Sequence, residues 1–190
     1  MEKWSAIKFN PEEQTRKTVR LKYHDYARPG YYYLTICTFE GQHYFGEIHD
    51  VEMQLSAQGK IAVDFLEKLS SYFPNVTDIT YIVMPHHLHL LFYLDNNFDE
   101  EQQYKISSGE TMDSMTEVRK CETRPSTVSS IVRSIKSGIT RRCHESGLTM
   151  KWHPRFYDQV VRTTDERMAV IKYIEENPVH WHYPKSNPFG

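Results

Sequence analysis

The chain has 190 residues, 39% of them hydrophobic and 25% charged, and its formal net charge is −2 at pH 7. That length suits one domain with a substantial core, and the composition is ordinary for a globular protein. No segment approaches the roughly 18 apolar residues of a membrane-spanning helix, and the N-terminus lacks the apolar region of a secretory signal peptide. We therefore expect a cytosolic protein without a membrane partner. Its three widely spaced cysteines predict neither a disulfide framework nor a paired-cysteine metal site.

The charge is unevenly distributed along the chain. Residues 95–122 carry eight acidic and three basic side chains, which leaves 20 of the 23 basic and 17 of the 25 acidic side chains elsewhere. A mildly basic body with an acidic insertion is compatible with binding a polyanion. Because residues 95–126 also lack an apolar period, we interpret them as a mobile loop or insertion.

The first third of the chain predicts an arm, a strand, a hairpin and a helix. Residues 1–30 are polar and end at a Pro-Gly turn signal, so we expect an extended arm. Residues 31–39 are aromatic and β-branched, which is typical of a strand. A short hairpin is predicted around residues 44–55. Ser56 is then a suitable N-cap for a helix whose apolar residues recur until Pro74.

The middle of the chain predicts a tight hairpin and a second helix. Residues 76–84 and 86–94 are both strand-like, and Pro85 between them marks a turn. After the acidic insertion, apolar residues return at helical spacing from Ser126. The apolar stripe of this helix comprises Val128, Ile131, Val132, Ile135 and Ile139.

The C-terminal part predicts an edge strand followed by a helix. The strand would cover residues 156–162, and Thr163 with Glu166 would form a capping box at the start of the helix. Pro178 cannot continue a helix, so we expect the helix to end by Asn177.

The order of the predicted elements is that of the ferredoxin-like α+β fold. Strand, helix, strand, strand, helix and strand would form one antiparallel sheet with flanking helices, here followed by an additional C-terminal helix. We expect one such domain over residues 31–182, with the acidic insertion inside it, and a short tail over residues 183–190.

Three histidines interrupt an apolar strand at positions 86, 87 and 89. Residues two apart in a strand point to the same face, so His87 and His89 should project together, while His86 should lie on the side of Leu88. Neutral imidazole is a common ligand of divalent metals, and such a pair on a rigid strand could hold one ion together with a third ligand. The alternative is a pair of hydrogen-bonded histidines at a strand edge.

A tyrosine and an asparagine share one face of the last predicted helix. Tyr173 and Asn177 are four residues apart, which stacks their side chains one above the other and places a phenol beside an amide oxygen. Taken alone, an asparagine at a helix end is an ordinary C-terminal signal, and a tyrosine in the last turn is ordinary packing.

A series of motifs between residues 20 and 182 carries a resemblance to a known family. The segment VMPHHLH, residues 83–89, is similar to a V-M-P-N-H-x-H metal-strand motif, with His86 in place of Asn. The other motifs, in chain order, are ARPGYYYLTICTFEGQHYFGEI, SSIVRSIKSGITRR, WHPRFYDQVVR and YIEENPVHW. On these motifs the chain resembles the single-tyrosine HUH transposases, and among them the REP-associated tyrosine transposase-like proteins.

The resemblance implies a chemical role for each of four residues. His87, His89 and Asn177 would bind Mg²⁺ or Mn²⁺, and Tyr173 would be the nucleophile that attacks a DNA phosphodiester. The products would be a 5′-phosphotyrosine and a free 3′-OH, and a second strand could reverse the reaction without ATP. The implied partners are single-stranded DNA with a hairpin, of the REP or BIME repeat type, and a second copy of the chain, and the implied location is the bacterial nucleoid.

The resemblance also gives basic residues a role in DNA binding. We expect contacts to DNA phosphates from Arg133, Lys136, Arg141 and Arg142 on the second helix, and from Arg20 and Lys22 in the arm. The alternative for the helix is a solvated charged face. Tyr157 and Trp152 could stack on unpaired bases, although core packing is the more ordinary role of a tryptophan.

Two departures from the family pattern concern the segment around Tyr157. His153 stands where the family usually has Gln, and Gln159 where it often has His, which affects DNA contacts or packing more than chemistry. Tyr157 is the main rival nucleophile, but Val161 occupies the position four residues on, where a ligand would be needed.

Two alternatives to a DNA nickase and strand-transferase stay open. In a domesticated protein that recognises hairpin DNA without turnover, the active-site residues would survive although its role is regulatory or structural. A metal-dependent nucleotide hydrolase would use water as its nucleophile and would not need Tyr173.

Overall fold

The computed structural model describes residues 24–96 and 126–181. Most of the predicted arm, most of the acidic insertion and the tail lie outside these residues, so the predicted domain limits stay predictions. No helix within the two described ranges is long and apolar enough to cross a membrane. The elements are β1 (Gly30–Cys37), β2 (Gly46–His49), β3 (Glu52–Leu55), α1 (Ala57–Glu67), α2 (Leu69–Tyr72), β4 (Val76–Met84), β5 (His87–Leu94), α3 (Val128–Glu145), β6 (Tyr157–Val161) and α4 (Thr164–His180).

One antiparallel sheet organises the described residues. Its strand order is β4-β5-β1-β6, and each neighbouring pair is antiparallel, while β2 and β3 form a separate hairpin. With that hairpin set aside, the order of elements and the strand order are those of a ferredoxin-like fold. The predicted α+β class is confirmed, including the edge position of β6 and the C-terminal helix that follows it.

The main core lies on the face of the sheet that α1 and α3 cover. Alternate residues of β1 and β5, among them Leu34, Ile36, Leu88 and Leu90, are buried there against both helices. Every residue of the predicted apolar stripe of α3 is buried. The predicted N-cap of α1 is also present, because the Ser56 hydroxyl accepts a hydrogen bond from the Gly59 N–H at 3.0 Å.

The two helices of the main core approach closely at Gly138. A Cβ atom at this position would lie 2.1 Å from a ring carbon of Phe65, which is itself buried on α1. Glycine is therefore required at Gly138 by the space between α1 and α3.

The opposite face of the sheet is covered by α4. Tyr33, Leu91, Val161 and residues of one α4 face form a second, smaller cluster there. The first turn of α4 is attached to the sheet by Arg167, whose guanidinium contacts the Asp78 carboxylate at 3.1 Å and the Tyr31 hydroxyl at 2.6 Å.

The ends of α4 confirm one prediction and correct two others. The Thr163 hydroxyl accepts a hydrogen bond from the Glu166 N–H at 3.1 Å, so the predicted N-cap is present. The reciprocal bond of the predicted capping box is not, because the Glu166 carboxylate accepts from the Arg162 N–H at 2.7 Å instead. The prediction that the helix ends by Asn177 was wrong, because α4 continues through Pro178 to His180. Proline lacks the N–H that would bond to Ile174, but its fixed φ is itself helical, so one more turn can follow.

The two ends of the acidic insertion lie side by side. The Asn96 amide donates hydrogen bonds to the Ser126 carbonyl at 2.8 Å and to the Ala27 carbonyl at 2.7 Å. The Ser126 hydroxyl in turn lies 3.3 Å from the Asn75 amide oxygen. The residue that follows β5 and the residue that precedes α3 are therefore held together by hydrogen bonds.

We expect Gly138→Ala to lower the free energy of unfolding by about 1–2 kcal/mol, measured by chemical denaturation. Alanine favours a helix over glycine by roughly 1 kcal/mol, but overpacking against the Phe65 ring costs more than this gain. The matched control is Ser137→Ala at the exposed neighbouring position, which should change stability by less than about 0.5 kcal/mol. An unchanged denaturation midpoint for Gly138→Ala would show that the contact between α1 and α3 is looser than described.

Candidate active site

His87 and His89 project from the same face of β5, towards α4. Leu88, which lies between the two histidines, and Leu90, which follows them, are fully buried in the main core on the other face. This alternation confirms the predicted orientation of the two histidines. It also places both imidazoles under the C-terminal helix, where they are 9% and 4% exposed.

The two imidazoles point their Nε2 atoms at each other, 3.0 Å apart. Their outer nitrogens have separate partners. The Nδ1 atom of His89 lies 2.7 Å from the Tyr33 hydroxyl and 3.0 Å from the Thr35 hydroxyl, and the Nδ1 atom of His87 lies 2.9 Å from Nδ1 of His86. The 3.0 Å separation is that of a hydrogen bond in which one Nε2–H donates to the other Nε2, as in the alternative of a hydrogen-bonded pair. With a proton on each Nδ1 instead, both Nε2 lone pairs would be directed to one point, as binding of an ion requires.

Burial keeps both histidines neutral. It lowers the pKa of His89 to about 3, with His86 as a smaller cause. Burial also lowers the pKa of His87 well below its ordinary value, followed by the effect of the neighbouring imidazoles of His89 and His86. Neutral imidazole is the form that binds a metal, so the pair has the protonation state of ligands over the physiological pH range.

Tyr173 and Asn177 lie on the face of α4 that packs on the sheet. The Tyr173 ring centroid is 5.3 Å from that of His89, and it meets the Tyr33 ring edge-on at 6.4 Å. Tyr173 is 8% exposed and Asn177 is 6% exposed. The structure thus places the tyrosine beside the histidine pair, with the asparagine buried one helical turn further on.

The spacing of the imidazole nitrogens fits a common ion. Two nitrogens that each lie about 2.1 Å from a metal are about 3.0 Å apart when they subtend roughly a right angle, and the Nε2 atoms are 3.0 Å apart. The described residues contain no group of three or more His, Cys, Asp and Glu side chains that could hold a metal. The third metal ligand predicted from the sequence is the amide of Asn177. Asparagine is not one of those four residue types, so such a group would not include it.

His86 occupies a different place from the one expected. It was predicted on the Leu88 side of the strand, but it lies in the turn between β4 and β5, where strand alternation does not apply. Its carbonyl accepts hydrogen bonds from the Thr38 N–H and hydroxyl, at 2.8 and 2.9 Å. Its ring lies 4.9 Å from the Trp181 ring, which also stacks on His87 at 6.1 Å.

The predicted DNA-binding residues of α3 fall into two groups. Arg133 and Arg141 are exposed on the outer surface of the helix. The Lys136 ammonium instead donates hydrogen bonds to the carbonyls of His153 and Arg155, at 2.6 and 3.0 Å, and burial lowers its pKa. Those contacts hold the segment that leads into β6.

Arg142 also has partners within the chain. It contacts the Asp64 carboxylate at 2.6 Å and the Tyr72 hydroxyl at 2.5 Å, and its guanidinium lies over the Phe65 ring. These contacts tie α3 to α1 and α2. The two arm residues that were also predicted to bind DNA, Arg20 and Lys22, lie outside the described residues.

The rival tyrosine lies at the start of the edge strand. The ring of Tyr157 is 6.5 Å from that of Tyr33, and burial, followed by the nearby Asp158, raises its pKa. Its hydroxyl lies 3.4 Å from the Gln159 amide oxygen. His153, the other departure from the family pattern, accepts a hydrogen bond from a backbone N–H at 3.2 Å through its Nδ1.

Sequence reasoning missed the two hydroxyl partners of His89. Tyr33 and Thr35 are two apart on β1, and Thr35 is directly opposite His89 in the β1–β5 register. The alternation of β1 places both hydroxyls on one face, which is a signal in the sequence. The register that brings that face to His89 comes from pairing between distant segments.

Comparisons with known proteins found one similar sequence and a similar solved structure. No family model matches the chain. An uncharacterized protein of Haemophilus influenzae is 27% identical over 177 residues, which cover 93% of this chain and 95% of that protein. Among solved structures, a REP-associated tyrosine transposase bound to a REP hairpin matches 86% of this chain and 76% of its own, at 18% identity and a TM-score of 0.52.

The chain has the same overall fold as that solved protein. The resemblance to REP-associated tyrosine transposases inferred from sequence motifs is confirmed at the level of the fold.

We expect the metal-free protein to lose stability steeply as the pH falls below about 6.5. The unfolded chain binds protons at His87 and His89 near that pH, whereas folding lowers the pKa of both groups, so protonation favours the unfolded state. The slope for each histidine should approach about 1.4 kcal/mol per pH unit. The measurement is chemical denaturation in EDTA between pH 7 and 4.

The matched variant for this titration is His89→Leu, which should remove one of the two contributions to the slope. Equal slopes for the wild type and His89→Leu would contradict the assignment of the buried neutral pair.

Proposed function

We propose that the protein is a metal-dependent nuclease and strand-transferase that acts on single-stranded DNA containing a hairpin. The observation that carries the proposal is the placement of the Tyr173 phenol 5.3 Å, ring to ring, from His89. A buried phenol, an amide one turn away and two neutral imidazoles with converging nitrogens form the set of groups that a tyrosine-linked phosphodiester cleavage needs.

Three side chains would hold the divalent ion. His87 and His89 would supply their Nε2 atoms, and Asn177 would supply its amide oxygen, a donor set that suits Mg²⁺ or Mn²⁺ together with water and phosphate oxygens. The ion would neutralise charge on a phosphate oxygen and make the phosphorus more electrophilic. The hydroxyls of Tyr33 and Thr35 would fix the orientation of His89 through its Nδ1.

The reaction would exchange one phosphate ester for another. The phenolic oxygen of Tyr173 would form a bond to phosphorus as the bond from phosphorus to the 3′ oxygen breaks. The phenol gives up its proton and the departing oxygen takes one up, so the cleavage consumes no net proton. The products are a 5′-phosphotyrosine and a 3′-OH, and attack by another 3′-OH restores a phosphodiester and the free tyrosine without ATP.

The same proposal includes the DNA partner and the assembly of the protein. A solved protein with this fold is bound to a REP hairpin, and exposed Arg133 and Arg141 on α3 suit phosphate contacts. We therefore propose hairpin DNA of the REP type as the substrate. A homodimer and an association with the bacterial nucleoid belong to the proposal as well.

We expect the purified protein to form a covalent adduct with labelled hairpin DNA in the presence of Mn²⁺ or Mg²⁺, visible on a denaturing gel. Tyr173→Phe removes the nucleophile and should abolish the adduct, and His87→Ala removes a ligand and should reduce it at least 100-fold. Tyr157→Phe is the matched control, because it deletes the rival phenol and should leave the adduct in place.

Other results of this experiment would identify other functions. An adduct that survives Tyr173→Phe but not Tyr157→Phe would reassign the nucleophile. Hairpin binding without any adduct, equal in the wild type and both active-site variants, would indicate the catalytically silent DNA-binding protein. Nucleotide hydrolysis that is independent of Tyr173 would indicate a hydrolase.

We expect Tyr33→Phe to weaken Mn²⁺ binding about tenfold, measured by titration calorimetry. The change removes the hydroxyl 2.7 Å from Nδ1 of His89 but leaves the Thr35 hydroxyl in place. Loss of a hydrogen-bond partner of a metal ligand typically lowers metal affinity roughly 10- to 100-fold, and we expect the lower end of this range because one partner remains. Tyr32→Phe is the control, because Tyr32 is the neighbouring buried tyrosine on the opposite face. Equal Mn²⁺ affinities for Tyr33→Phe and Tyr32→Phe would contradict a role of Tyr33 in orienting the ligand.

A further inference from the structure

His86 and His87 form a hydrogen bond between neighbouring imidazoles at the edge of the candidate site. Their Nδ1 atoms lie 2.9 Å apart. A neutral imidazole carries one proton, on one of its two ring nitrogens. In this hydrogen bond, one Nδ1 therefore carries a proton and donates it, while the other is bare and accepts.

Metal binding by His87 fixes the direction of this hydrogen bond. An ion needs the bare lone pair of Nε2, which leaves the proton of the neutral ring on Nδ1. His87 then donates, and His86 must present a bare Nδ1. In the opposite direction, the proton of His87 is on Nε2 and is directed along the 3.0 Å contact to Nε2 of His89. That arrangement blocks the atom that would bind the ion.

The partners of the two candidate ligands differ in how they can adapt. Nδ1 of His89 lies against the hydroxyls of Tyr33 and Thr35. A hydroxyl donates or accepts by rotating in place, so His89 can carry its proton on either nitrogen. The partner of Nδ1 in His87 is an imidazole nitrogen, which is either a donor or an acceptor. The tautomer of His87 therefore depends on the tautomer of His86.

The position of His86 is fixed by contacts with other segments of the chain. Its carbonyl accepts hydrogen bonds from the N–H and the hydroxyl of Thr38, at 2.8 and 2.9 Å. The carbonyl of the preceding Pro85 accepts from the Phe45 N–H at 3.1 Å. The His86 ring also packs on Trp181, with the ring centroids 4.9 Å apart. The turn between β4 and β5 thus holds the His86 ring beside His87.

The loss of an acceptor at His86 would change where His87 carries its proton. His87 is 9% exposed, and a buried N–H without an acceptor is costly. With no acceptor beside Nδ1, the proton of His87 would move to Nε2, where Nε2 of His89 can accept it. The lone pair that an ion needs would then be lost to a hydrogen bond within the protein.

We infer that His86 is a positioning residue, whose Nδ1 accepts the Nδ1–H of His87 and so keeps the Nε2 lone pair of His87 available to a divalent ion. The inference rests on the proposed function, in which His87 is a metal ligand. It gives a role to the histidine that replaces asparagine in the motif of residues 83–89. His86 acts through His87 and does not itself contact the ion.

The first test reads the tautomer of His87 by long-range ¹H–¹⁵N NMR of the full chain, labelled with ¹⁵N-histidine, at pH 7 in EDTA. Protonated and bare imidazole nitrogens have well-separated ¹⁵N shifts. The signals of His87 are identified as those missing from the spectrum of His87→Ala. In the wild type, His87 should have a protonated Nδ1 and a bare Nε2.

Two variants of similar size separate the effect of an acceptor from that of packing. His86→Asn has an amide oxygen that can take the place of Nδ1, so the tautomer of His87 should not change. His86→Leu has no acceptor, and the proton of His87 should move to Nε2. His43→Leu is the control, because exposed His43 packs on the His86 ring without taking part in this hydrogen bond. If His86→Leu does not fold, His86→Phe makes the same comparison.

The second test measures Mn²⁺ binding by titration calorimetry in the absence of DNA. His86→Leu should weaken binding about 10- to 100-fold, which is the usual effect of removing a hydrogen-bond partner of a metal ligand. His86→Asn and His43→Leu should bind Mn²⁺ like the wild type. A purely structural role of His86 would weaken Mn²⁺ binding without moving the proton of His87, and that result would overturn the inference.

The outcomes separate this inference from the proposed function. If the wild type forms the Tyr173 adduct but His87 has the same tautomer in the wild type and in His86→Leu, the inference is wrong and the proposed function stands. A proton on Nε2 of His87 in the wild type would also overturn the inference. If the tautomer and the Mn²⁺ affinity both follow the acceptor but no adduct forms, the inference stands and the proposed nuclease activity is rejected.

Discussion

The candidate site depends on the burial of β5 on both of its faces. One face of this strand contributes leucines to the main core, and the other contributes two histidines to the space beneath α4. Because side chains alternate with a period of two, a shift of one residue would exchange leucines and imidazoles. The imidazoles would then lose their hydroxyl partners inside an apolar core, which is a costly form of burial. The main core therefore fixes the register that aims the histidines.

The helix above the histidines is held at both of its ends. Its first turn is attached through Arg167 to Asp78 and to the Tyr31 hydroxyl. Its last turn is followed by Trp181, which stacks on His87 and packs beside His86. Tyr173 lies between these two attachments and packs edge-on to Tyr33. Side chains held in this way keep one orientation relative to each other, and the proposed reaction would need little reorganisation of them.

The sequence predicted the features that depend on local periodicity, and the structure added those that depend on distant pairing. The alternation in β5 and the stripe of α3 were predictable because each pattern lies within one element. The partners of Arg142 and Lys136 were not predictable, since Asp64 and the His153 carbonyl lie far away in sequence. The same is true of the Thr35 partner of His89.

Two of the wrong predictions have local causes. His86 was assigned by strand alternation, but the strand begins only after it, so the rule did not apply there. The end of α4 was assigned by the missing N–H of Pro178, but a proline near the last turn interrupts only one hydrogen bond.

The junction at Asn96 and Ser126 has a consequence for engineering the protein. Because the amide of Asn96 holds the Ser126 carbonyl at 2.8 Å, the chain segments on either side of residues 97–125 are fixed next to each other by the fold itself. The entropy of closing a loop between two fixed points rises only slowly with its length. A linker of only a few residues is therefore long enough to join Asn96 to Ser126, because the fold already holds these two residues next to each other.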